Sequence, residues 1–338
     1  MTDRENRMNK GTAQKRSVLM ICASFFGYDK RICRALQDEG YEVDLVDEKP
    51  NSSFVAKACI RYNVRLYRPA IRKYYEEIIG RNRQKKYDYI LVVKGEAVNE
   101  EIIGLLRQAY PDAGFVLYLW DSVANIPDCE KRMKLYDRVL TFDPADAEKY
   151  GIPHVAIPYG EEHINCQRVG HFEYDVAFVG TAHSVRPRVV KQIQQQCLEN
   201  GRKCFVYFYS PHILVYLLNK LTNRDYRWIK KNEVHFQALP PEEVCRVYNV
   251  SKCVLDIEHP KQQGATTRPV EMLPMQKKII TTNSHVRDFP FFNTNNYHII
   301  DRNDPRIDAS FFDTQYIPVD EEIVKQYSPS CFVKILMG

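Results

Sequence analysis

The amino-acid sequence predicts an α/β protein with two successive domains, each built on a parallel sheet. Short apolar runs alternate with helix-length segments along both halves of the chain, which is the pattern of strands joined by crossover helices. The length of 338 residues suits two domains of about 150 residues each. The hydrophobic content of 44% allows a sizeable core in each. No apolar run approaches the roughly 20 residues of a membrane-spanning helix.

The first 15 residues are polar and carry no apolar core, so we expect a disordered lead-in rather than a signal peptide or anchor. A first domain is predicted over 16–160. Apolar runs predict strands at 18–22, 41–46, 87–93, 114–120, 136–142 and 154–160. Between them, helices are predicted at 29–39, over the basic region 57–86, at 99–109 and at 143–150.

Residues 161–173 lack periodicity and predict an interdomain linker, followed by a second domain over 174–318. Strands are predicted at 174–180, 204–209, 234–239, 253–257 and 278–282. Helices are predicted at 187–200, 212–231 and 240–251. The tail over 319–338 predicts a helix that is interrupted at Pro329.

The cysteines and the distribution of charge indicate the compartment and the possible partners of the protein. The ten cysteines are scattered without a CxxC pair, which favours free thiols in a reducing cytoplasm. The net charge is only +5, but residues 57–86 concentrate Lys and Arg among tyrosines. This segment could meet an anionic membrane surface or be a solvated helix, and nucleic acid is the least favoured partner.

In open parallel sheets, ligands bind beyond the carboxyl ends of the strands. This rule nominates the loops at 23–29, 94–97, 121–125, 143, 180–188, 209–211 and 258–268. The segment 258–271 combines a turn glycine, two hydroxyls, a cation and a helix-starting proline: Gly264, Thr266, Thr267, Arg268 and Pro269. A helix start with an arginine suits a phosphate group, and Glu271 could accept hydrogen bonds from ribose hydroxyls. A capping box over Arg268–Glu271, with Arg268 on the surface, is the alternative.

The loop at 178–188 could form a second side of an anion-binding site. Gly180 and Thr181 would let the backbone approach a ligand, and His183, Arg186 and Arg188 supply positive charge. An ordinary strand-to-helix turn remains open. The patterns GxGxxG and GxxxxGK[ST] are both absent, so the familiar dinucleotide and P-loop fingerprints are excluded.

Two carboxylates, Glu96 and Asp121, directly follow apolar strands and are candidates for a general base. Asp121 is preferred, because the apolar run before it could desolvate the carboxylate and raise its pKa. Lys94 beside Glu96 would lower the pKa of Glu96 and make it a weak base. Lys94 and Glu96 are therefore better suited to binding the hydroxyl groups of an acceptor. A helix cap is the alternative for Asp121. Asp256 and Glu258 lie in a strand and are not interpreted as a metal site.

A family resemblance rests on an ordered set of segments. These are FFGYDKRICRALQDEGYEVDLVDEKP, YDYILVVKGEAV, LYLWDSVANI, YDRVLTFDPADAEKYGI, YDVAFVGTAHSVR and IEHPKQQGATTRPVEMLPMQKKIITTN, with IIDR at 299–302. Together they resemble the GT-B glycosyltransferases, specifically the CgeB-like group and the lipopolysaccharide or capsule biosynthesis proteins near it. Pro274 and Gln276 depart from the resemblance, where small residues or glycine are expected.

The resemblance implies two Rossmann-like domains facing a cleft, with acceptor on the first, nucleotide-sugar on the second and a final helix crossing back to the first. It implies transfer without a cofactor or bound metal. The donor site would consist of Gly180, Thr181, Arg186, His259, Gly264, Thr266, Thr267, Arg268 and Glu271. Asp29, Lys94 and Glu96 would bind the acceptor.

The sequence therefore predicts a cytoplasmic glycosyltransferase that moves a sugar from a nucleotide-sugar to a glycan or lipid-linked acceptor. Asp121, Glu96 and Arg268 are the candidate catalytic residues, and 57–86 could hold the protein at the inner face of a membrane. The alternative is a non-catalytic two-domain protein that binds a sugar or a nucleotide.

Overall fold

The computed structural model describes residues 15–50, 54–126, 128–166, 170–258 and 266–338, without the side chains of 54–67. Within this range the fold is α/β, with two parallel sheets of five and six strands. The predicted two-domain α/β fold is confirmed.

The first sheet has the strand order β2-β1-β3-β4-β5. Its strands are β1 (Ser17–Cys22), β2 (Glu42–Val46), β3 (Tyr89–Val93), β4 (Gly114–Leu119) and β5 (Arg138–Thr141). The helices of this half are α1 (Tyr28–Asp38), α2 (Phe54–Arg81), α3 (Glu100–Ala109), α4 (Cys129–Met133) and α5 (Pro144–Tyr150). Strands β1 and β3 pair in parallel and are almost entirely buried, as their unbroken apolar runs predict.

The second sheet has the order β11-β10-β9-β6-β7-β8. Its strands are β6 (Tyr174–Thr181), β7 (Cys204–Tyr209), β8 (Val234–His235), β9 (Ser251–Asp256), β10 (Lys278–Thr281) and β11 (Tyr297–Ile299). The helices are α6 (Glu161–Ile164), α7 (Arg186–Glu199), α8 (Ile213–Thr222), α9 (Pro241–Asn249), α10 (Thr267–Met275), α11 (Glu321–Gln326) and α12 (Pro329–Met337).

Each sheet reverses its direction of growth once. In the first sheet the chain leaves β1 toward β2 and returns to add β3 on the other side of β1. In the second it leaves β6 toward β7 and returns to add β9 on the other side of β6. Because the connections depart in opposite directions at such a point, a crevice opens beyond the carboxyl ends of the two strands. The fold thus offers one ligand position beside β1 and β3 and another beside β6 and β9.

The chain divides into two compact units. One contains the described residues of Met1–Tyr118 and Pro127–Val139, and the other contains those of Leu119–Ile126 and Leu140–Gly338. The sequence-predicted boundaries of the domains, the linker over 161–173 and the crossing of the last helix stay predictions.

Several predicted elements need correction. Residues 154–160 are not a strand, since only His154 forms a bridge, with Thr141. The helix predicted over 212–231 ends at Thr222, because the Asn223 side chain accepts a hydrogen bond from the Asp225 amide and starts a separate 3-10 turn. The strand predicted at 234–239 is reduced to Val234–His235. The short strand β11 was not predicted.

Helix α10 passes through Pro274 and ends at Met275. Pro274 therefore lies in the last turn and does not remove the helix start. Gln276 follows with a φ of 52°, in the left-handed conformation in which glycine is the commoner helix end. Glycine or another small residue is expected at this position because it adopts the left-handed conformation more easily.

The nine cysteines with described side chains are free thiols. No helix in the described part of the chain combines the length and the apolar character that crossing a membrane requires.

Candidate functional site

A buried arginine network lies beside β6 and β9, where the second sheet reverses direction. The Arg268 guanidinium pairs with Asp256 of β9 at 3.1 Å, donates to the Tyr248 hydroxyl at 3.1 Å and donates to the Val179 carbonyl. The Asp256 side chain is completely buried, so it depends on this partner. Arg268 therefore lies inside the unit, where its hydrogen bonds connect two strands. It does not lie on the surface, as the capping alternative proposes.

Gly180 at the end of β6 makes room for this network. A Cβ atom at position 180 would lie 2.8 Å from Arg268 Nη2 and 3.0 Å from Phe178 Cζ. The glycine was predicted to let a ligand approach the backbone. In the structure the space beside it is occupied by Arg268, so the close approach is between two parts of this chain.

Among the described residues, no side chain caps the start of α10. Thr266 occupies the position before the helix, but its hydroxyl donates to Asp256 Oδ1 at 2.8 Å instead of accepting from a helix N–H. Thr267 is the first residue of the helix. Thr266 therefore does not cap α10 with its side chain. An uncapped helix start is a favourable place for an anion.

Arg186 is the first residue of α7, which follows β6. Its Nε donates to the Ile257 carbonyl at 2.7 Å and its Nη1 to the Thr181 carbonyl at 3.4 Å. Among the described residues, no carboxylate lies within ion-pair distance of Arg186, whereas Arg188 on the same helix pairs with Asp225 at 3.0 Å. Burial and the charge of Arg268 lower the pKa of Arg186 to about 9. The surplus of positive charge at this sheet edge is therefore centred on Arg186.

Glu271, one turn into α10, is buried beside a histidine that the sequence analysis missed. Glu271 Oε2 lies 4.0 Å from Nε2 of His163, which is itself buried at the start of α6. The structure leaves the ribose role of Glu271 as a prediction. His259 and Gly264 lie outside the described residues.

In the first unit, Glu48 is a completely buried carboxyl group directly after β2. Its Oε1 accepts from the Ala97 N–H, and its Oε2 has no hydrogen-bond partner in the described structure. Burial raises the pKa of Glu48 to about 7. Glu48 was not among the residues predicted from the sequence, although the segment 47–50 follows a strand and the same edge rule would have nominated it.

Glu96, after β3, lies between two lysines. Its carboxylate contacts Lys49 Nζ at 2.9 Å and Lys94 Nζ at 3.1 Å. Burial alone would raise the pKa of Glu96, but the charges of Lys94 and Lys49 more than offset this and hold the pKa at about 2. The prediction that Lys94 makes Glu96 a weak base agrees with this arrangement. Lys94 itself has a φ of 73°, an uncommon conformation for a residue with a side chain.

Two other features follow β1. Asp29, in the first turn of α1, is buried and its Oδ1 has no hydrogen-bond partner in the described structure. The neighbouring loop exposes Phe25 and Phe26, whose rings contact edge to face at 4.5 Å between centroids. Exposed aromatic rings at a ligand-facing sheet edge suit the apolar face of a sugar ring. The sequence analysis did not assign these two residues.

Asp121 is half-buried and makes hydrogen bonds within its own turn. Its Oδ1 accepts from the Ser122 amide at 3.0 Å and from Asn125 Nδ2 at 2.9 Å. These are not the hydrogen bonds of a helix cap, because Ser122 is the residue before the 3-10 turn Val123–Asn125 and no side chain caps that turn from this position. Its role as general base stays a prediction.

No protein-family model matches the sequence, and no curated protein matches it significantly. Solved structures do match over most of the chain. An alpha-glucosyltransferase in complex with UDP and a 13-mer DNA has 11% identity and a TM-score of 0.58, over 95% of this chain and 94% of that one. The Anabaena protein Alr3699/HepE in complex with UDP and glucose has 9% identity and the same TM-score of 0.58, over 95% and 98% of the two chains.

A putative UDP-N-acetylglucosamine 2-epimerase from Listeria monocytogenes matches with 10% identity and a TM-score of 0.52, over 92% of this chain and 94% of that one. At these identities the likeness defines the fold. The fold is the two-domain, Rossmann-like α/β fold of the GT-B class.

Proposed function

We propose that this protein is a glycosyltransferase that moves a sugar from a nucleotide-sugar donor to a glycan or lipid-linked acceptor of a surface polysaccharide. The acceptor class, which includes lipopolysaccharide, capsule and O-antigen, and the CgeB-like affinity both rest on the sequence resemblance. The fold shared with an alpha-glucosyltransferase in complex with UDP and with Alr3699/HepE in complex with UDP and glucose supports a nucleotide-sugar donor. We further propose a cytoplasmic location for the catalytic units.

The observation that carries the proposal is Arg186. It is a mostly buried guanidinium held by two backbone carbonyls, without a carboxylate partner among the described residues and close enough to Arg268 for their charges to repel. A bound diphosphate would relieve this repulsion and could use the uncapped N–H groups at the start of α10. As a sugar leaves, charge grows on the diphosphate, so the same groups would stabilise the transition state.

Arg268 takes a supporting role in this proposal. Its pairing with Asp256 fixes the edge of the sheet and adds positive potential beside Arg186, although its guanidinium is engaged inside the unit. Glu271 would accept the ribose hydroxyls, and Thr267 would contact the phosphates from the helix start. In the first unit, Asp29, Lys94 and Glu96 would bind acceptor hydroxyls, with Phe25 against a sugar ring.

If the reaction inverts the anomeric centre, we propose Asp121 as the general base. Glu96 is disfavoured in this role because its low pKa makes it a weak base. We also propose that the donor binds without a divalent metal. In the described ranges no three His, Cys, Asp or Glu side chains form a group suited to a metal ion. The requirement for metal is decided by titration in EDTA with and without added Mg²⁺.

Calorimetric titration with UDP, GDP and their sugars tests the proposal. The wild-type protein is expected to bind one nucleotide class in EDTA, and Arg186→Gln should weaken binding at least tenfold, since a charged hydrogen bond contributes about 1.5–3 kcal/mol. Arg287→Gln, which removes an exposed charge from the same unit, is the matched control and should bind normally. Equal affinity in the two variants would refute the assignment of Arg186.

A further inference from the structure

Helix α8 exposes an apolar stripe to solvent. Leu214, Leu217, Leu218 and Leu221 are 54%, 46%, 52% and 85% exposed. Their spacing of i, i+3, i+4 and i+7 places them on one face of the helix. An apolar stripe with this spacing ordinarily faces a protein core, so its exposure indicates that another partner covers it.

The opposite side of α8 attaches it firmly to the second unit. Tyr216 is buried in the core of that unit, and Ile213 packs against the same core. Lys220 donates to the carbonyls of Tyr226 and Ile229 at 2.8 Å and 2.6 Å. The helix is therefore held with its leucines outward, and their exposure is a consequence of how the helix is anchored.

The turn that follows α8 adds an indole and a group of cations. Trp228 is 47% exposed. Four exposed basic residues surround it in sequence: Arg224, Arg227, Lys230 and Lys231. The two acids of this stretch are each paired with a cation from α7, Asp225 with Arg188 at 3.0 Å and Glu233 with Lys191 at 2.7 Å. The local charge is therefore strongly positive.

We propose that the α8 surface, made of Leu214, Leu217, Leu218, Leu221 and Trp228 with the four basic residues, docks on an anionic lipid bilayer. Leucines on one face, a tryptophan and flanking cations are the composition of a helix that lies in the membrane interface. Ten residues are too few to span a bilayer but enough to lie on one. This inference concerns the second unit and does not depend on the chemistry of the donor site.

Charge favours a bilayer over a second copy of the chain. A two-fold dimer through this surface would bring four cations of each copy against the same four of the other, and like charges across an interface oppose association. Anionic headgroups instead attract each cation. The surface also differs from the basic segment 57–86, where Arg72 contacts Glu76 and Glu101, and Arg81 contacts Glu77.

Vesicle flotation tests the proposal with matched variants of the full chain. Wild-type protein should bind vesicles of phosphatidylcholine with 30% phosphatidylglycerol, about that content being enough for a strongly anionic surface, and should bind pure phosphatidylcholine much less. Arg224→Gln with Arg227→Gln should lower the partition coefficient about thirtyfold, since each cation contributes about fivefold. Lys203→Gln with Arg287→Gln removes the same charge from exposed positions of the second unit outside the α8 surface and should leave binding unchanged.

A second variant separates insertion from simple charge attraction. Leu218→Gln with Leu221→Gln keeps every charge and should still lower binding to the acidic vesicles more than tenfold, because each leucine contributes apolar area. The fluorescence shift of Trp228 on adding vesicles should disappear in Trp228→Phe. The proposal is overturned if wild type does not bind, if the leucine variant binds equally, or if this variant only converts a dimer to a monomer in sedimentation. Nucleotide binding by the leucine variant is measured alongside and should equal wild type.

Discussion

Replacing Glu48 with glutamine should change how the stability of the first unit depends on pH. Burial raises the pKa of the Glu48 carboxyl from 4.5 to about 7. Between these pH values the folded protein holds a proton that the unfolded chain has released, so the free energy of unfolding falls as pH rises. At about 1.4 kcal/mol for each pKa unit, the loss amounts to about 3 kcal/mol above pH 7. Glu48→Gln lacks a titrating group and should not show this loss.

Native-state hydrogen exchange of the β1 and β3 amides measures the opening free energy of this unit by itself. Relative to wild type, Glu48→Gln should gain about 3 kcal/mol as pH rises from about 4.5 to about 8. Glu96→Gln is the control with the opposite sign. The lowered pKa of Glu96 stabilises the folded state above its unfolded pKa, and this stabilisation is lost progressively as pH falls from 4.5 to about 2. Its variant should therefore be less stable by a constant amount between about pH 6 and 8. Parallel pH curves for wild type and Glu48→Gln would refute the reasoning.

Three further substitutions test individual contacts. Gly180→Ala should displace Arg268, because the added Cβ would lie 2.8 Å from Nη2, and should lower thermal stability and weaken nucleotide binding together; normal values of both would contradict the close packing. Asp121→Asn should lower turnover about a hundredfold or more if Asp121 is the base, with donor affinity unchanged, and near-normal turnover would leave it with only its local hydrogen bonds to Ser122 and Asn125. Phe25→Ala should raise KM for the acceptor several-fold at unchanged donor affinity, since stacking of exposed aromatics contributes about 0.5–1.5 kcal/mol; an unchanged acceptor KM would remove the stacking role.

The strands could be predicted from sequence because a strand buried on both faces must be apolar at every position. The runs at 18–22 in β1 and 89–93 in β3 are of this kind, and the predicted positions of both strands agree with the structure within one or two residues. The break at Asn223 was missed because a side-chain hydrogen bond to the Asp225 amide competes with helix continuation. β11 has only three residues, too few for a periodic signal.

The direction in which a side chain points depends on residues that are distant in the sequence. A short motif therefore cannot predict it. The motif around Arg268 predicted a cation at the edge of the second sheet, and Arg268 lies beside β6 and β9. It could not predict that Arg268 turns inward, because Asp256 and Tyr248 are brought to it by β9 and α9. Likewise, the leucines of α8 have the spacing of a core-facing helix, and only the packing of Tyr216 reveals that they face solvent.

The proposed reaction is the transfer of a sugar from a nucleotide-sugar that is held at Arg186. The most direct measurement follows a radiolabelled sugar from the donor that binds, in the presence of a lipid-linked glycan fraction, with wild type and Arg186→Gln compared at equal concentration. Wild type should give label in the acceptor and an equal amount of free nucleotide diphosphate, and Arg186→Gln should give at least tenfold less of both. Donor that binds tightly yet stays intact with every acceptor would contradict transfer and identify a non-catalytic binding protein.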